Sequence, residues 1–354
     1  MKKILIALAA FAGLSLAVSA QTFTVTNSGF TDQALFTTAA GFNISAIGTD
    51  GSGNLYYLET GAFDGTNTTT ELFSRTAASN YSSSSETLLY NYGSPQSTSF
   101  VKVNGSTVYF GENGIGTINS ISTSGAPNTF QNITTLVNNY DLAFNGTSAF
   151  VDAADAGFSN NLISALNTST GQLTPVLQTA GSSGPIAFTS NGSLLYGTTI
   201  GEDKVTAGIY SFSAAQVSAA IANKTPLTLS QGTLVFANGW NQYLAYLNDN
   251  ALYQEVSPFS GAPSPTPAIP TLSLLNPTTF DSETVGEITD GESFFDGVGA
   301  IGNGVAIAVT ENFVDGPTTI YMVTQVPEPG SLMFLIFGSA PFILGRTFRK
   351  KWVA

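Results

Sequence analysis

The chain has 354 residues with neither cysteine nor histidine, and its 23 acidic against 10 basic side chains leave a net charge of −13. Without cysteine there is no disulfide and no thiol chemistry; without histidine there is no Ser-His-Asp triad, no Cys-His dyad and no His-ligated zinc or iron. What remains suits carboxylate chemistry on glycosides or calcium coordination, and the acidity opposes binding to nucleic acid or anionic lipid.

The N-terminus reads as a secretory signal peptide over residues 1–20. Lys2 and Lys3 give a positive start, Ile4 to Leu16 an apolar core, and Val18-Ser19-Ala20 compact residues before a cut at Gln21. Between residues 21 and 325 the chain carries 22 acidic residues and four basic ones (Arg75, Lys102, Lys204 and Lys224), an excess of 18 negative charges. Stability there has to come from burial and sheet hydrogen bonds.

Residues 21–325 are rich in Gly, Ser, Thr and Asn, with short β-branched and aromatic runs between turn residues and no long helical period. A unit of strand, tight turn and strand repeats in FNISAIGTDGSGNLYYL, STSFVKVNGSTVYFG, NYDLAFNGTSAFVDA, SGPIAFTSNGSLLYGT, GTLVFANGWNQYLAYL and GVGAIGNGVAIAVT. Asn-Gly marks five of the turns, at Asn104-Gly105, Asn145-Gly146, Asn191-Gly192, Asn238-Gly239 and Asn303-Gly304, where both residues tolerate positive φ. With Gly53 standing in for the first, the spacings are 52, 41, 46, 47 and 65 residues, near the ~40–50 residues of a four-stranded propeller blade. Third strands follow in TELFSR, GTINSIST, NLISALNT, GIYSFSAA, ALYQEVS and TTIYMVTQ. The pattern predicts an all-β protein, a β-propeller of six blades with seven the nearest variant, in which TFTVTN (22–27) completes the last blade.

The long fifth interval predicts a Pro-rich and acidic insertion at 258–296, with prolines at 258, 263, 265, 267, 270 and 277. Its acidic part, DSETVGEITDGESFFDG, offers Asp281, Glu283, Glu287, Asp290, Glu292 and Asp296 as calcium ligands, although the order is not that of an EF-hand loop and a solvated acidic loop is the plainer reading. Asp50 and Asn54 in TDGSGNLYY read as turn formers. In a closed ring, Asn43, Asp141 and Asp296 enter the innermost strands and line the channel mouth. Tyr56, Tyr57, Tyr109, Phe144, Phe150, Phe188, Tyr196 and Tyr210 fall within strands as core between blades. Glycine-rich GENGIGT (111–117) lacks the helix and Lys of a phosphate loop.

The C-terminus closes with VPEPGSLMFLIFGSAPFILGRTFRKKWVA. Val326, Pro327, Glu328 and Pro329 precede an uncharged stretch over 330–345, and Arg346, Arg349, Lys350 and Lys351 end it with positive charge that keeps this end cytoplasmic. As a helix the apolar run reaches about 24 Å, short of the ~30 Å hydrocarbon thickness, and Pro341 weakens it further. It reads as a temporary anchor, with a permanent single-pass anchor as the other reading.

This tail, residues 326–351, resembles the PEP-CTERM sorting signal of Gram-negative bacteria. The resemblance implies an exported protein, held briefly at the inner membrane by a hydrophobic sorting helix, processed by an exosortase-like enzyme and delivered to the cell envelope, cell surface or extracellular matrix. Pro341 inside the apolar stretch and Trp352-Val353-Ala354 after the basic cluster depart from the usual pattern. The resulting expectation is a binding or structural protein whose partners are extracellular polysaccharide or matrix proteins, with no cofactor required and calcium as a candidate ligand. The alternative is a carboxylate-dependent carbohydrate-active hydrolase or lyase.

Overall fold

The computed structural model describes residues 23–61, 69–94, 96–198, 207–237, 240–247, 249–256, 269–290, 293–301, 304–311 and 316–326. The expected signal peptide, the sorting tail from Pro327 onward and Glu292 lie outside them.

Alternating β-branched, aromatic and small residues build six antiparallel sheets, which form the blades of a six-bladed β-propeller. Blade 1 comprises Phe42–Thr49, Leu55–Gly61, Thr70–Arg75 and Thr87–Asn91; blade 2, Thr98–Asn104, Thr107–Glu112, Thr117–Ser122 and Gln131–Thr135. Blade 3 comprises Asn139–Asn145, Ser148–Ala154, Asn160–Leu166 and Leu173–Ala180, with Leu227–Thr228 added in parallel. Blade 4 comprises Ile186–Phe188, Leu194–Gly197, Gly208–Phe212 and Thr233–Ala237; blade 5, Trp240–Leu247, Asn250–Val256, Thr271–Leu275 and Ser282–Ile288. Blade 6 draws Phe294–Ile301, Gly304–Thr310 and Thr318–Gln325 from the end of the chain and Phe30–Thr37 from its beginning.

Each blade is too thin to bury an apolar face alone, so the core is divided. Six hydrophobic clusters each join residues of two neighbouring blades, and together they occupy all six blade interfaces. The inner strands approach closely where side chains are absent: a Cβ on Gly48 of blade 1 would stand 2.6 Å from the Val101 carbonyl oxygen of blade 2. A single helix among the described residues, Ala214–Asn223, interrupts blade 4. Ser213 and Gln216 cap its start reciprocally, and Val217 and Ala220 bury its inner face against blade 3. Its period was hidden in a short Ala-rich stretch.

Three details differ from the sequence expectation. The strand near 22–27 does not complete the last blade. Phe23–Val25 instead pairs with Ser282–Ile288 as a fifth strand of blade 5, a turn at Asn27 reverses the chain, and Phe30–Thr37 pairs with Thr318–Gln325 of blade 6. The fourth Asn-Gly, Asn238-Gly239, does not join two strands of one blade, because the strands that flank it, Thr233–Ala237 and Trp240–Leu247, belong to blades 4 and 5. The hairpin of blade 5 closes on the pair Leu247 and Asn250, and Asn250–Val256 is therefore its second strand. Consequently Thr271–Leu275 and Ser282–Ile288, inside the 258–296 stretch expected as an insertion, are the third and fourth strands of that blade.

The hairpins use Asn-Gly in a specific way. Asn104 pairs with Thr107 and Asn145 with Ser148, so each Asn is the last strand residue and each Gly the first loop residue. Gly105 and Gly146 both have φ of 59°, the position a type II′ turn reserves for glycine.

The N-terminal strands tie three blades. Phe23 is fully buried against Phe295 and Tyr321, with ring centroids 6.0 and 5.7 Å away. Phe36 meets Tyr57 at 5.5 Å, and the Arg75 guanidinium lies 3.7 Å over the Phe36 ring while paired with Glu86. Phe23→Ala is expected to cost about 3–5 kcal/mol of unfolding free energy, whereas Thr24→Ala on the exposed side of the same strand stays within about 0.5 kcal/mol. Denaturant unfolding of both variants measures the difference, and equal midpoints would contradict the seam.

Candidate functional site

The inner strands run side by side down the channel, starting at one face and ending in hairpins at the other. In five of the six the ladder to the second strand slips near its starting end: between Ile44 and Ala46, Thr98 and Val101, Asn139 and Asp141, Asn241 and Tyr243, and Phe295 and Gly297. A bulge bends its strand and re-aims a side chain. Here the residues skipped by the ladder are Ser45, Ser99 with Phe100, Tyr140, Gln242 and Asp296, so one irregularity in each of these five blades falls at the same level around the axis.

Most hydrogen bonds of these residues run between blades. The hydroxyls of Ser45 and Thr98 join blades 1 and 2; Ser99 donates to the Asn139 amide oxygen of blade 3. The Tyr140 hydroxyl of blade 3 donates to the Gln242 carbonyl of blade 5 at 2.8 Å, passing over blade 4, whose inner strand is only three residues long. Asp296 accepts from Thr310, whose hydroxyl is 2.6 Å from that of Thr318, which in turn accepts the Ile44 amide of blade 1 at 2.8 Å. With the Ile44 N–H as first donor, the two hydroxyls point in sequence toward Asp296.

One ion pair completes this plug. Lys102 Nζ of blade 2 is 2.9 Å from Asp141 Oδ1 of blade 3, while the Asp141 carboxylate also accepts the Leu142 amide at 2.8 Å and the Ile186 amide of blade 4 at 3.0 Å. Three donors from three successive blades converge on this nearly buried carboxylate and hold it in one orientation. A cavity of about 20 Å³ bounded by Ser99, Lys102, Tyr140, Asp141 and Tyr243 is wide enough for one water molecule. Beyond it, toward the hairpin face, the channel widens to a chamber of about 270 Å³ lined by Ile47, Leu142, Phe144, Phe188, Leu244, Tyr246 and Val298, with Lys102 at its floor.

Burial governs the titration of this region. It pushes the Asp296 carboxyl up to about 7, against the Thr310 hydrogen bond that lowers it. It also raises Tyr140, helped by Asp141, and raises Tyr243, helped by Asp296. On blade 1, burial and the nearby Glu86 push Glu59 up to about 7 despite the lowering effect of Arg75.

Of the residues expected at the channel mouth, Asp141 and Asp296 are there, and Asn43 sits in the ladder opposite Thr60, two residues before the bulged Ser45. The sequence reading missed Lys102, Tyr140 and Tyr243. Lys102 carried a signal, being one of four cations in an acidic body and flanked by valines in VKVNG.

The acidic residues of 281–296 do not assemble. Asp281, Glu283 and Glu287 lie at or along the fourth strand of blade 5, where Glu283 accepts from Asn27 at 3.0 Å; Asp290 caps Ser293; Asp296 is in the channel. Among the described residues no three acidic side chains stand close enough to share a metal ion. Asp50 forms a turn, accepting the amides of Ser52 and Asn54 at 2.9 Å each. The glycine-rich 111–117 loop has an internal occupant: buried Glu112 accepts the amides of Gly114, Ile115 and Gly116 at 2.6–3.0 Å, filling the nest an external anion would need.

A raised carboxyl binds its proton more tightly when folded than when unfolded, so its stabilising contribution is complete below the ordinary carboxylate range and is lost as pH rises from about 4 to about 7. The melting temperature is therefore expected to fall over that window. Asp296→Asn, which keeps an acceptor for Thr310, removes one titrating group and up to about 1.4 kcal/mol per pH unit of slope. Melting curves from pH 4 to 8 read this directly; an unaltered slope in the variant would contradict a buried, protonatable Asp296.

No family model and no curated protein matches the chain. Among solved structures it is similar to luciferin-regenerating enzyme, with a TM-score of 0.54 and 10% identity over 84% of this chain and 96% of that one. It is also similar to a chain of a nidogen/laminin complex (TM-score 0.49, 10% identity, 68% of this chain and 79% of that one). A third similar structure is a catalytically inactive virginiamycin B lyase from Staphylococcus aureus bound to quinupristin (0.47, 12%, 84% and 100%). At these identities the likeness is one of fold.

Proposed function

We propose that this chain is an exported, non-catalytic binding or structural protein of the cell envelope or extracellular matrix, sorted through its PEP-CTERM-like tail by an exosortase-like enzyme. The observation that carries the non-catalytic part is the plug. The channel mouth, where a propeller enzyme would need open, convergent carboxylates, is instead spanned by the Tyr140 to Gln242 bond and by an Asp141 whose oxygens serve Lys102 and two backbone amides. The sorting part rests on the order of Val326-Pro327-Glu328-Pro329, the uncharged 330–345 stretch and the basic 346–351 cluster.

One feature favours the enzymatic reading: Asp296, with its carboxyl pushed up to about 7, has the proton affinity of a general acid. Its side chain is already engaged by the Thr310 hydroxyl of the same blade. Calcium enters only as an ion bound by the 281–296 acids singly or in pairs, since the described ones form no shared cluster, and a melting curve raised by calcium and restored by chelator would show that it binds.

Intact-mass measurement of protein recovered outside the cell tests the sorting. Loss of residues before Gln21 and of the chain beyond the Pro-Glu-Pro motif is the expected result, and a mass retaining the 330–354 segment contradicts processing. Incubation with a polysaccharide panel tests the chemistry: binding without release of sugars is expected, and reducing ends produced from any member would overturn the non-catalytic reading.

A further inference from the structure

The hairpin face carries a second cavity outside the channel, between blades 2 and 3. It encloses about 510 Å³, within the ~300–1,000 Å³ typical of small-ligand sites. One wall is formed by Tyr109, Ser122, Phe130 and Gln131 of blade 2 and the loop before its outer strand; the other by Thr168 and Ser169, on the turn joining the third and fourth strands of blade 3. None of the residues lining it is acidic or basic, on a body with 18 excess negative charges. Its polar groups are hydroxyls and one amide, each able to donate and accept.

Phe130 is 42% exposed, unlike the rings packed between blades. It is nevertheless held. Tyr90 meets it edge-on with centroids 4.6 Å apart, and the loop before it is pinned where the Asn128 amide donates to the Leu89 carbonyl at 2.8 Å and the Asn91 amide donates to the Asn128 side chain at 2.9 Å. Exposing a large ring costs apolar hydration, and fixing it in place removes the entropy a ligand would otherwise have to overcome. A fixed, partly exposed ring at the rim of a row of uncharged hydroxyls offers apolar and polar contacts together, as the surface of a sugar chain requires, with C–H patches alternating with hydroxyl edges.

We infer that this groove binds a short stretch of neutral polysaccharide, with Phe130 at its rim packing on sugar C–H groups and the Ser, Thr and Gln side chains holding its hydroxyls. The inference deepens the proposed binding function and rests on it for placing the protein among extracellular glycans. The negative field around the groove disfavours uronic-acid and sulfated chains, so neutral glycans are selected partly by repulsion of their charged counterparts.

Native gel electrophoresis of the exported protein through dextran, galactomannan, xyloglucan or alginate tests this, followed by calorimetric titration with oligosaccharides of any neutral glycan that retards it. Retardation by at least one neutral glycan and none by alginate is expected. Phe130→Ala and Ser122→Asp should each weaken binding about tenfold or more, while Phe130→Tyr and Phe158→Ala, the latter on a separate loop of blade 3, leave it unchanged. Binding that survives both disruptive substitutions in folded protein, or a preference for alginate, overturns the groove but leaves the binding-protein reading standing. Wild-type protein that binds none of the neutral glycans overturns the groove and the polysaccharide partner together, and leaves the structural half of the proposed function.

Discussion

Ring closure is the constraint on which the other features depend, because six blades around an axis have a seam that must be joined by residues far apart in the chain. Thr37 and Thr319, 282 positions apart in the chain, meet across it at 2.8 Å. Loop-closure entropy grows only logarithmically with length, so the distance itself is affordable, but nothing is gained until the last blade exists. With no cysteine to clamp the seam, the join is made by ladder bonds to Phe30–Thr37, by Phe23 buried against Phe295 and Tyr321, and by Arg75 spread over Phe36. The doubled attachment, one strand to blade 5 and the next to blade 6, spreads the closure over two interfaces instead of one edge.

Cations are scarce in this body and their placement is informative for that reason. Arg75 serves the seam, Lys102 serves the plug, and Lys224 ends the helix in a left-handed conformation. An ion pair that is mostly desolvated adds little net stability over apolar packing, yet it penalises any arrangement that separates its members. Lys102 and Asp141 belong to adjacent blades, so their pairing, like the Ser45–Thr98 and Ser99–Asn139 bonds, fixes how blades meet at the axis more than how tightly they stick. The bulges make this feasible: those of blades 1, 2 and 3 skip Ser45, Ser99 and Tyr140, whose hydroxyls then bond across a blade boundary.

How much of this was legible follows from what leaves a local trace. Hairpins do, because a type II′ turn needs glycine at one position, and so Gly105 and Gly146 marked blades 2 and 3 correctly. The same dipeptide misled at Asn238-Gly239, since a connection between blades also accepts glycine and only pairing distinguishes the two uses. That one-strand slip turned Asn250–Val256 into a third strand and left Thr271–Leu275, framed by Pro270 and Pro277, looking like loop. Asp141 and Asp296 were legible as channel residues from their place at strand entries. The bulges were not, because a skipped residue changes pairing without changing composition, and with them Tyr140 and Tyr243 escaped notice. The groove at Phe130 was invisible for a different reason: its walls come from turns some 40 residues apart, and serine and threonine are common everywhere in this chain.

The seam also bears on the tail. Gln325 pairs with Phe30, and the Val326 amide donates to the Gly29 carbonyl at 2.8 Å, so the last ladder bond of the ring falls one residue before Pro327. An enzyme that cuts a chain needs several residues extended in its site. Under the proposed sorting, a cut close to Pro-Glu-Pro therefore competes with closure for the same segment: the final strand must either be processed before it docks or fray at its exposed end. Proline at 327 helps separate the two events, because it has no amide with which to continue the ladder and restricts Val326 to extended backbone. Under the proposed sorting, the described sheet thus ends just before the Pro-Glu-Pro, and folding of the body need not bury it.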